Sequence, residues 1–179
     1  MSQAFSTPAQ RRRLYPDPVQ TVLRLTVVAG VLVALAAAVG AGARPSGWVQ
    51  TVVVGLAAIT AVRPESVAGV AALGGTAYAW APSPEPLSAL VLVVVAGMLL
   101  SHLAALVAAQ GPLLLPVDAG QVRLWLGRGV LLWLTAAAVW GLALAVEDHP
   151  GGRSAYAVGL LLLAALAVVG TRLIGRRVG

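Results

Sequence analysis

The stretch WVQTVVVGLAAITAVRPESVAGVAALGGTAYAWA, residues 48–81, decides how the rest of the chain is threaded. It holds two apolar runs of 15 residues each, separated by Arg63-Pro64-Glu65-Ser66. A single helix over this stretch would be about 50 Å long, whereas the hydrocarbon core of a bilayer is about 30 Å thick. It would also carry Arg63 and Glu65 to the membrane midplane, at about 2.5–3.5 kcal/mol each, and Pro64 would interrupt its hydrogen bonds.

Two short helices joined by a tight turn avoid all of these costs. We therefore predict a helical hairpin with Arg63, Pro64 and Glu65 at its inner turn, and with Pro64 and Glu65 in the first turn of the second helix. Runs of 15 residues are compatible with a hairpin that crosses the bilayer and with one that enters it only part of the way.

Four longer apolar runs flank the hairpin, and each is long enough for a transmembrane helix. They cover residues 22–43, 87–109, 124–146 and 155–174. The sequence thus predicts an all-α, polytopic membrane helix bundle of about six helices. Its parts are a cytoplasmic tail (1–21), a transmembrane domain (22–174) and a second cytoplasmic tail (175–179). Ala41-Gly42-Ala43 resembles a signal-peptide cleavage site, but the 22-residue run before it exceeds the usual 7–15 residues, which favours an uncleaved anchor.

The composition agrees with a protein that has little mass outside the bilayer. The 179 residues are 59% hydrophobic and only 10% charged, with a mean hydropathy of +0.90. Soluble domains are about 25% charged, so a soluble enzyme and a nucleic-acid-binding domain are both excluded. The chain has no cysteine, and therefore no disulfide and no thiolate metal ligand.

The positions of the basic residues, all twelve of them Arg, predict the orientation. With six helices and a cytoplasmic N-terminus, ten arginines lie on the inner side. They are Arg11, Arg12, Arg13, Arg24, Arg63, Arg123, Arg128, Arg172, Arg176 and Arg177. Arg44 and Arg153 lie on the outer side. Because cytoplasmic loops are rich in Arg and Lys, this bias predicts that both termini are cytoplasmic, in a multi-pass protein of the bacterial cytoplasmic (inner) membrane.

His102 is the only ionisable side chain well inside a predicted span, and Ser101 precedes it. An ionisable group within a membrane suggests a proton relay or a ligand contact, or else a hydrogen bond that holds two helices together. We favour the helix–helix contact, because His102 lies only a few residues from the cytoplasmic end of its helix. Ser101 and His102 point about 100° apart, so they do not form a nucleophile–base pair.

Catalytic and cofactor-binding motifs are absent from the sequence. It contains no GxSxG, HExxH, P-loop or dinucleotide-binding fingerprint. Glu147, Asp148 and His149 are consecutive at a helix end and are interpreted as a solvated loop rather than a metal site. We predict that the protein is not an enzyme and has no cofactor or metal.

Small residues at four-residue spacing indicate close helix packing. The first predicted helix carries Gly30, Ala34 and Ala38, and the fourth carries Gly97 and Ser101. Trp48 and Trp80 lie at the predicted outer boundary, where tryptophan commonly anchors a helix.

Several segments resemble a group of small integral membrane proteins of GC-rich Gram-positive bacteria. They are LAAITAV (56–62) leading into PES (64–66), LLSHLAA (99–105), QGP (110–112) and VRLW (122–125). Members of that group are often encoded near MoxR-type AAA ATPases and their partner membrane proteins. The resemblance implies an accessory role in a membrane assembly and no enzymatic residue.

The sequence favours a non-enzymatic accessory or scaffold subunit of a membrane complex. Its partners would be the lipid bilayer and either other membrane proteins or further copies of the chain, with no nucleic acid. The Arg-rich inner side would meet anionic lipid or a cytoplasmic partner. The alternative is a small homo-oligomeric transporter or channel, with a pathway between the 48–81 hairpin and the fourth helix.

Overall fold

Five α-helices form the part of the chain that the structure, a computed structural model, describes: residues 17–111 and 118–147. They are α1 (Pro18–Gly40), α2 (Gly47–Val62), α3 (Ala68–Trp80), α4 (Leu90–Ala108) and α5 (Ala119–Glu147). These residues contain no strand, so the all-α class is confirmed for them. The chain divides into two compact units, one ending at Val130 and one beginning at Leu131, and α5 belongs partly to each. The predicted helix over 155–174 and both predicted tails, apart from residues 17–21, lie outside the described residues.

Three of these five described helices are long and apolar enough to cross a membrane, which indicates a membrane protein. They are α1, α4 and the segment Ala119–Ala145 of α5. The two helices of the hairpin are shorter, with 16 residues in α2 and 13 in α3. At 1.5 Å per residue they measure about 24 Å and about 20 Å, less than the roughly 30 Å of a hydrocarbon core. The predicted count of six spans therefore stays a prediction.

The predicted break between the two hairpin helices is confirmed. Helix α2 ends at Val62, and Arg63 leaves the helical region with φ −126° and ψ 79°. A residue before proline is disfavoured in helical geometry, so Pro64 accounts for this position of the break. The prediction for the second helix is wrong in one respect. Because α3 begins at Ala68, Pro64 and Glu65 lie in the connecting turn and not in the first turn of α3.

Helices α1 and α5 begin earlier than predicted, and each start has a local cause. Helix α1 begins with Pro18, whose missing N–H costs nothing at a first helical position. Helix α5 begins at Ala119 because the Asp118 carboxylate accepts hydrogen bonds from the N–H groups of Gly120 and Gln121, each at 3.3 Å. Since α1 starts at Pro18, it includes the last residues of the predicted 1–21 tail.

Helices α1 to α4 run alternately up and down, as contacts between their ends show. Near the start of α1, Arg24 reaches the last residues of α2, and Gln20 bonds Gly111 just after α4. At the other end, the Ser83 hydroxyl donates to the carbonyl of Ala41 at 3.0 Å. We call the end of the helices near residues 63–67 the hairpin end. We call the other end, near residues 41–46 and 81–86, the loop end.

Helix α1 lies at the centre of this arrangement and packs on the other three helices. Its residues Val31 and Leu35 share a core with Val53 of α2 and Ala72 of α3. Ala34 and Ala37 pack instead against Val94 of α4. Gly42 ends α1 with φ 82°, and the N–H groups of Gly42 and Ala43 bond back to Val39 and Ala38. The positive φ of this Schellman arrangement favours glycine, so the Ala41-Gly42-Ala43 segment ends the helix here.

The backbones of α1 and α4 approach each other closely at Gly30 and Gly97. A Cβ added to Gly30 would lie 2.5 Å from the carbonyl oxygen of Gly97, and a Cβ on Gly97 would lie 2.5 Å from that of Gly30. Only glycine fits at such a distance. The close packing that the small residues predicted is therefore present, and it joins these two helices.

Candidate functional site

The two polar residues of α4, Ser101 and His102, lie on different sides of the helix. Ser101 is 5% exposed and packs at the contact with α1, where a Cβ on Gly30 would lie 3.1 Å from the Ser101 Cβ. His102 is exposed and lies about 100° around α4 from Ser101. The two side chains do not converge, so they form no catalytic pair. Ser101 belongs to the packing of the bundle, whereas the His102 imidazole is available to a group outside it.

The predicted inner turn of the hairpin is open to its surroundings. Arg63 and Glu65 are exposed, and Pro64 is half-buried between them. The Ser66 N–H closes the turn by donating to the carbonyl of Arg63 at 3.0 Å. The Ser66 hydroxyl is buried and has no hydrogen-bond partner among the described residues.

Arg24 has a role that sequence analysis missed. Its Nη1 donates hydrogen bonds to the carbonyl oxygens of Ala61 and Val62, both at 2.7 Å. The last carbonyls of a helix have no partner within that helix, and a positive charge near them interacts favourably with the helix dipole. Arg24 therefore caps α2 from a neighbouring helix. The available signal was a lone charge inside an apolar run, which was interpreted only as a topology marker.

Gln20 was also missed, because it was assigned to the N-terminal tail. It lies in the first turn of α1 with only 1% of its surface exposed. Its Nε2 donates to the carbonyl of Gly111 at 3.2 Å, while its Oε1 has no partner among the described residues. Gln110, next to Gly111, accepts a hydrogen bond from Gln121 in the first turn of α5. These amides tie the start of α1 to the end of α4, and the end of α4 to the start of α5.

The hairpin end is thus rich in polar side chains, but their chemistry is structural. Gln20 Nε2 and Arg24 Nη1 donate to backbone carbonyls, and among the described residues no nucleophile stands beside a base in the geometry that catalysis requires. Within the described residues, no three His, Cys, Asp or Glu side chains come together in a way that would hold a metal ion.

The threonine hydroxyls inside the helices donate hydrogen bonds to backbone carbonyls of their own helix. Thr60 donates to the carbonyl of Leu56 at 2.8 Å, and Thr76 donates to that of Ala72 at 2.8 Å. Both side chains are buried. Thr51 and Thr135 make the same bond one turn back, at 2.9 Å. These donors are satisfied locally, so they do not present a row of free hydrogen-bonding groups to a solute.

A cleft of about 450 Å³ opens at the loop end, between the α1–α2 connection and the end of α3. Arg44, Ser46 and Trp48 line one side of it, and Tyr78 and Pro82 line the other. Sequence analysis singled out Trp48 as a boundary residue and assigned Arg44 to the outer side, but no linear motif connects them with Tyr78. Folding brings them together because α2 begins where α3 ends.

Comparison with known proteins adds no assignment to this geometry. No protein-family model matches the chain, and neither a curated protein nor a solved structure matches it.

Proposed function

We propose that the protein is a small, non-enzymatic accessory or scaffold subunit of a complex in the bacterial cytoplasmic membrane. One observation carries the proposal: the imidazole of His102 is exposed on a helix that is long enough to span the membrane and whose other polar side chain, Ser101, is buried. A polar group that faces lipid within a span is costly, and its cost is lowered when a neighbouring helix supplies a hydrogen bond.

The surroundings of His102 favour a helix of another membrane protein as the neighbour. Leu106, one turn further along α4, is exposed on the same face of the helix. The face of α4 that carries Gly97 and Ser101 is already packed against α1. His102 and Leu106 together offer one hydrogen-bonding group beside one apolar knob, which suits a partner helix carrying an acceptor or donor at the matching depth.

The arrangement of helix ends supports the orientation that belongs to this proposal. Arg24 and Arg63 both lie at the hairpin end, whereas Arg44 lies at the loop end. Because arginine is concentrated in cytoplasmic loops, the hairpin end is assigned to the cytoplasmic side and the loop end to the outer side.

A small homo-oligomeric transporter or channel is the second candidate, and the broken hairpin favours it. Short apolar helices interrupted by proline are found where transporters bind their substrates. Against this candidate, the hydroxyls of Thr60 and Thr76 are buried and bonded to their own helices, and His102 points away from α1. A pathway between the hairpin and α4 would have few polar groups to line it.

Co-purification from the native membrane distinguishes the two candidates. The tagged protein is extracted in mild detergent, and each co-eluting membrane protein is quantified per copy of the chain. For His102→Ala we expect the yield of a stoichiometric partner to fall roughly three- to twentyfold, the range for loss of one interhelical hydrogen bond in a membrane. His102→Gln, which keeps a donor and an acceptor, should retain the partner.

Val33→Ala is the matched control, because Val33 is an exposed apolar residue of a different helix, α1. It should leave the partner yield unchanged. An unchanged yield in His102→Ala would contradict the proposal. Purification as a uniform homo-oligomer without a partner would favour the transporter, which liposome flux assays would then test.

A further inference from the structure

Helices α4 and α5 run antiparallel where they meet. Leu103 of α4 lies against Gly129 of α5, since a Cβ added to Gly129 would lie 2.5 Å from the Leu103 Cδ1. Nearer the hairpin end, the Gln121 amide of α5 donates to the Gln110 amide of α4. All four residues belong to the first compact unit of the chain. Their contacts fix which residues of the two helices lie at the same depth.

This pairing places His102 and Arg128 on one flank of the two helices. His102 directly precedes Leu103, and Arg128 directly precedes Gly129. A step of one residue turns a helix by about 100°, and in an antiparallel pair of right-handed helices one step back on each helix turns toward the same side. Because Leu103 is level with Gly129, His102 and Arg128 differ in depth by about two residues, or about 3 Å. They therefore border the same seam between α4 and α5.

The next residues on this flank, toward the hairpin end, are apolar. Leu106 lies one turn beyond His102 on α4, Leu124 lies one turn before Arg128 on α5, and both leucines are exposed. The polar pair is therefore farther from the hairpin end of the span than the two leucines are. An imidazole is too short to reach past a full turn of helix, about 5.4 Å, to a lipid phosphate at that end. A side chain of a neighbouring transmembrane helix can meet His102 at its own depth.

Arg128 gives the seam a positive charge that no described carboxylate neutralises. It is half-buried, with its guanidinium carbon 5.0 Å from the centroid of the Trp125 ring. Asp118, the nearest described acidic residue along α5, is ten residues away, about 15 Å, and its oxygens accept from backbone N–H groups. Neither Arg128 nor His102 makes a hydrogen bond or ion pair with the described residues. A charge within an apolar span is costly unless an opposite charge pairs with it.

We propose that the partner helix carries an Asp or Glu side chain at this depth, whose carboxylate accepts hydrogen bonds from Arg128 and His102. An ionised carboxylate only accepts, a guanidinium only donates, and a neutral imidazole has one N–H to donate, so the three groups are complementary. Leu106 and Leu124 pack against the apolar surface of the same helix. The inference rests on the proposed function, because it names the chemistry of the partner at the face that carries His102.

A zero-length cross-link tests for the carboxylate of the partner. The chain contains no lysine, so Arg128→Lys supplies its one side-chain amine. The complex of this variant, purified with a lysine-free tag, is treated with dicyclohexylcarbodiimide, which joins an amine to an adjacent carboxylate as an amide with loss of water. We expect mass spectrometry to locate the cross-link at an Asp or Glu within a transmembrane segment of the partner. Arg123→Lys, at an exposed position about 140° around α5 from Arg128, is the matched control and should give no such cross-link.

The yield of the partner separates this inference from the proposed function. Arg128→Gln should lower the yield at least tenfold, as for loss of a hydrogen bond to a charged group, whereas Arg128→Lys and Arg123→Gln should retain the partner. A wild type without a stoichiometric partner would disprove the proposed function and the inference with it. Full retention of the partner by Arg128→Gln, with or without loss of a bound phospholipid in native mass spectrometry, would overturn the inference alone. So would a complex of Arg128→Lys that gives no cross-link. Gel filtration and circular dichroism establish that each variant is folded.

Discussion

At the scale of single residues, Arg24 donates to the last carbonyl groups of α2 the hydrogen bonds that water would donate at a solvated helix end. It lies six residues, about 9 Å, beyond the first residue of α1, and it is level with the end of α2. Removing its two donors in Arg24→Leu leaves the carbonyls of Ala61 and Val62 unpaired. We expect the free energy of unfolding in detergent micelles, measured by denaturant titration, to fall by about 1–3 kcal/mol.

The effect of Arg24 should depend on its hydrogen bonds and not on charge alone. Arg24→Lys keeps the positive charge near the helix end with a shorter side chain, so we expect a smaller loss than in Arg24→Leu. Arg63→Leu removes an exposed arginine and should change stability by no more than about 0.5 kcal/mol. Equal stability of Arg24→Leu and Arg63→Leu would show that the cap contributes nothing.

The contrast between Arg24 and Pro64 shows what a sequence alone can predict at this scale. Pro64 acts on the residue next to it, so the break at Arg63 follows from local sterics and was predicted. Arg24 acts on carbonyls 37 and 38 residues away, and backbone acceptors have no signature in the sequence. The cleft of Arg44, Trp48 and Tyr78 was missed for the same reason, because it exists only once two distant helix ends meet.

At the scale of helices, the contact between α1 and α4 depends on two glycines. In Gly30→Ala the new Cβ would lie 2.5 Å from the Gly97 carbonyl oxygen and 2.9 Å from the Ser101 nitrogen, and both are backbone atoms that move only with their helix. We expect a loss of about 1–3 kcal/mol of unfolding free energy, the cost of overpacking a core. Thermal unfolding in detergent, followed by circular dichroism, measures it.

Gly55 of α2 provides the control for that substitution. A Cβ at Gly55 would meet nothing within 4 Å, so Gly55→Ala should be neutral or should stabilise the protein by up to about 1 kcal/mol, because alanine is the better helix former. If both variants lost stability equally, crowding at the crossing would not be the cause. The small-residue pattern predicted such a crossing, but it did not identify which helices form it, since the chain carries many alanines and glycines.

At the scale of the whole molecule, the hairpin sets the side of the membrane on which each connection lies. If the α2–α3 hairpin crosses the bilayer, Ser46 and Glu85 are on one side and Glu65 is on the other, whereas a single span over 48–81 would separate Ser46 from Glu85. All three side chains are exposed, and the chain has no cysteine of its own. Single cysteines at these positions are therefore clean reporters for a membrane-impermeant maleimide.

With the hairpin end cytoplasmic, we expect Ser46→Cys and Glu85→Cys to react in intact cells. Glu65→Cys should react only after the membrane is permeabilised. Denatured samples of each variant, labelled to completion, control for expression. Reaction of Ser46→Cys and Glu85→Cys from opposite sides would disprove the hairpin, and reaction of Glu65→Cys in intact cells would invert the orientation. The second outcome would also place Arg24 and Arg63 outside, against the arginine bias from which the orientation was predicted.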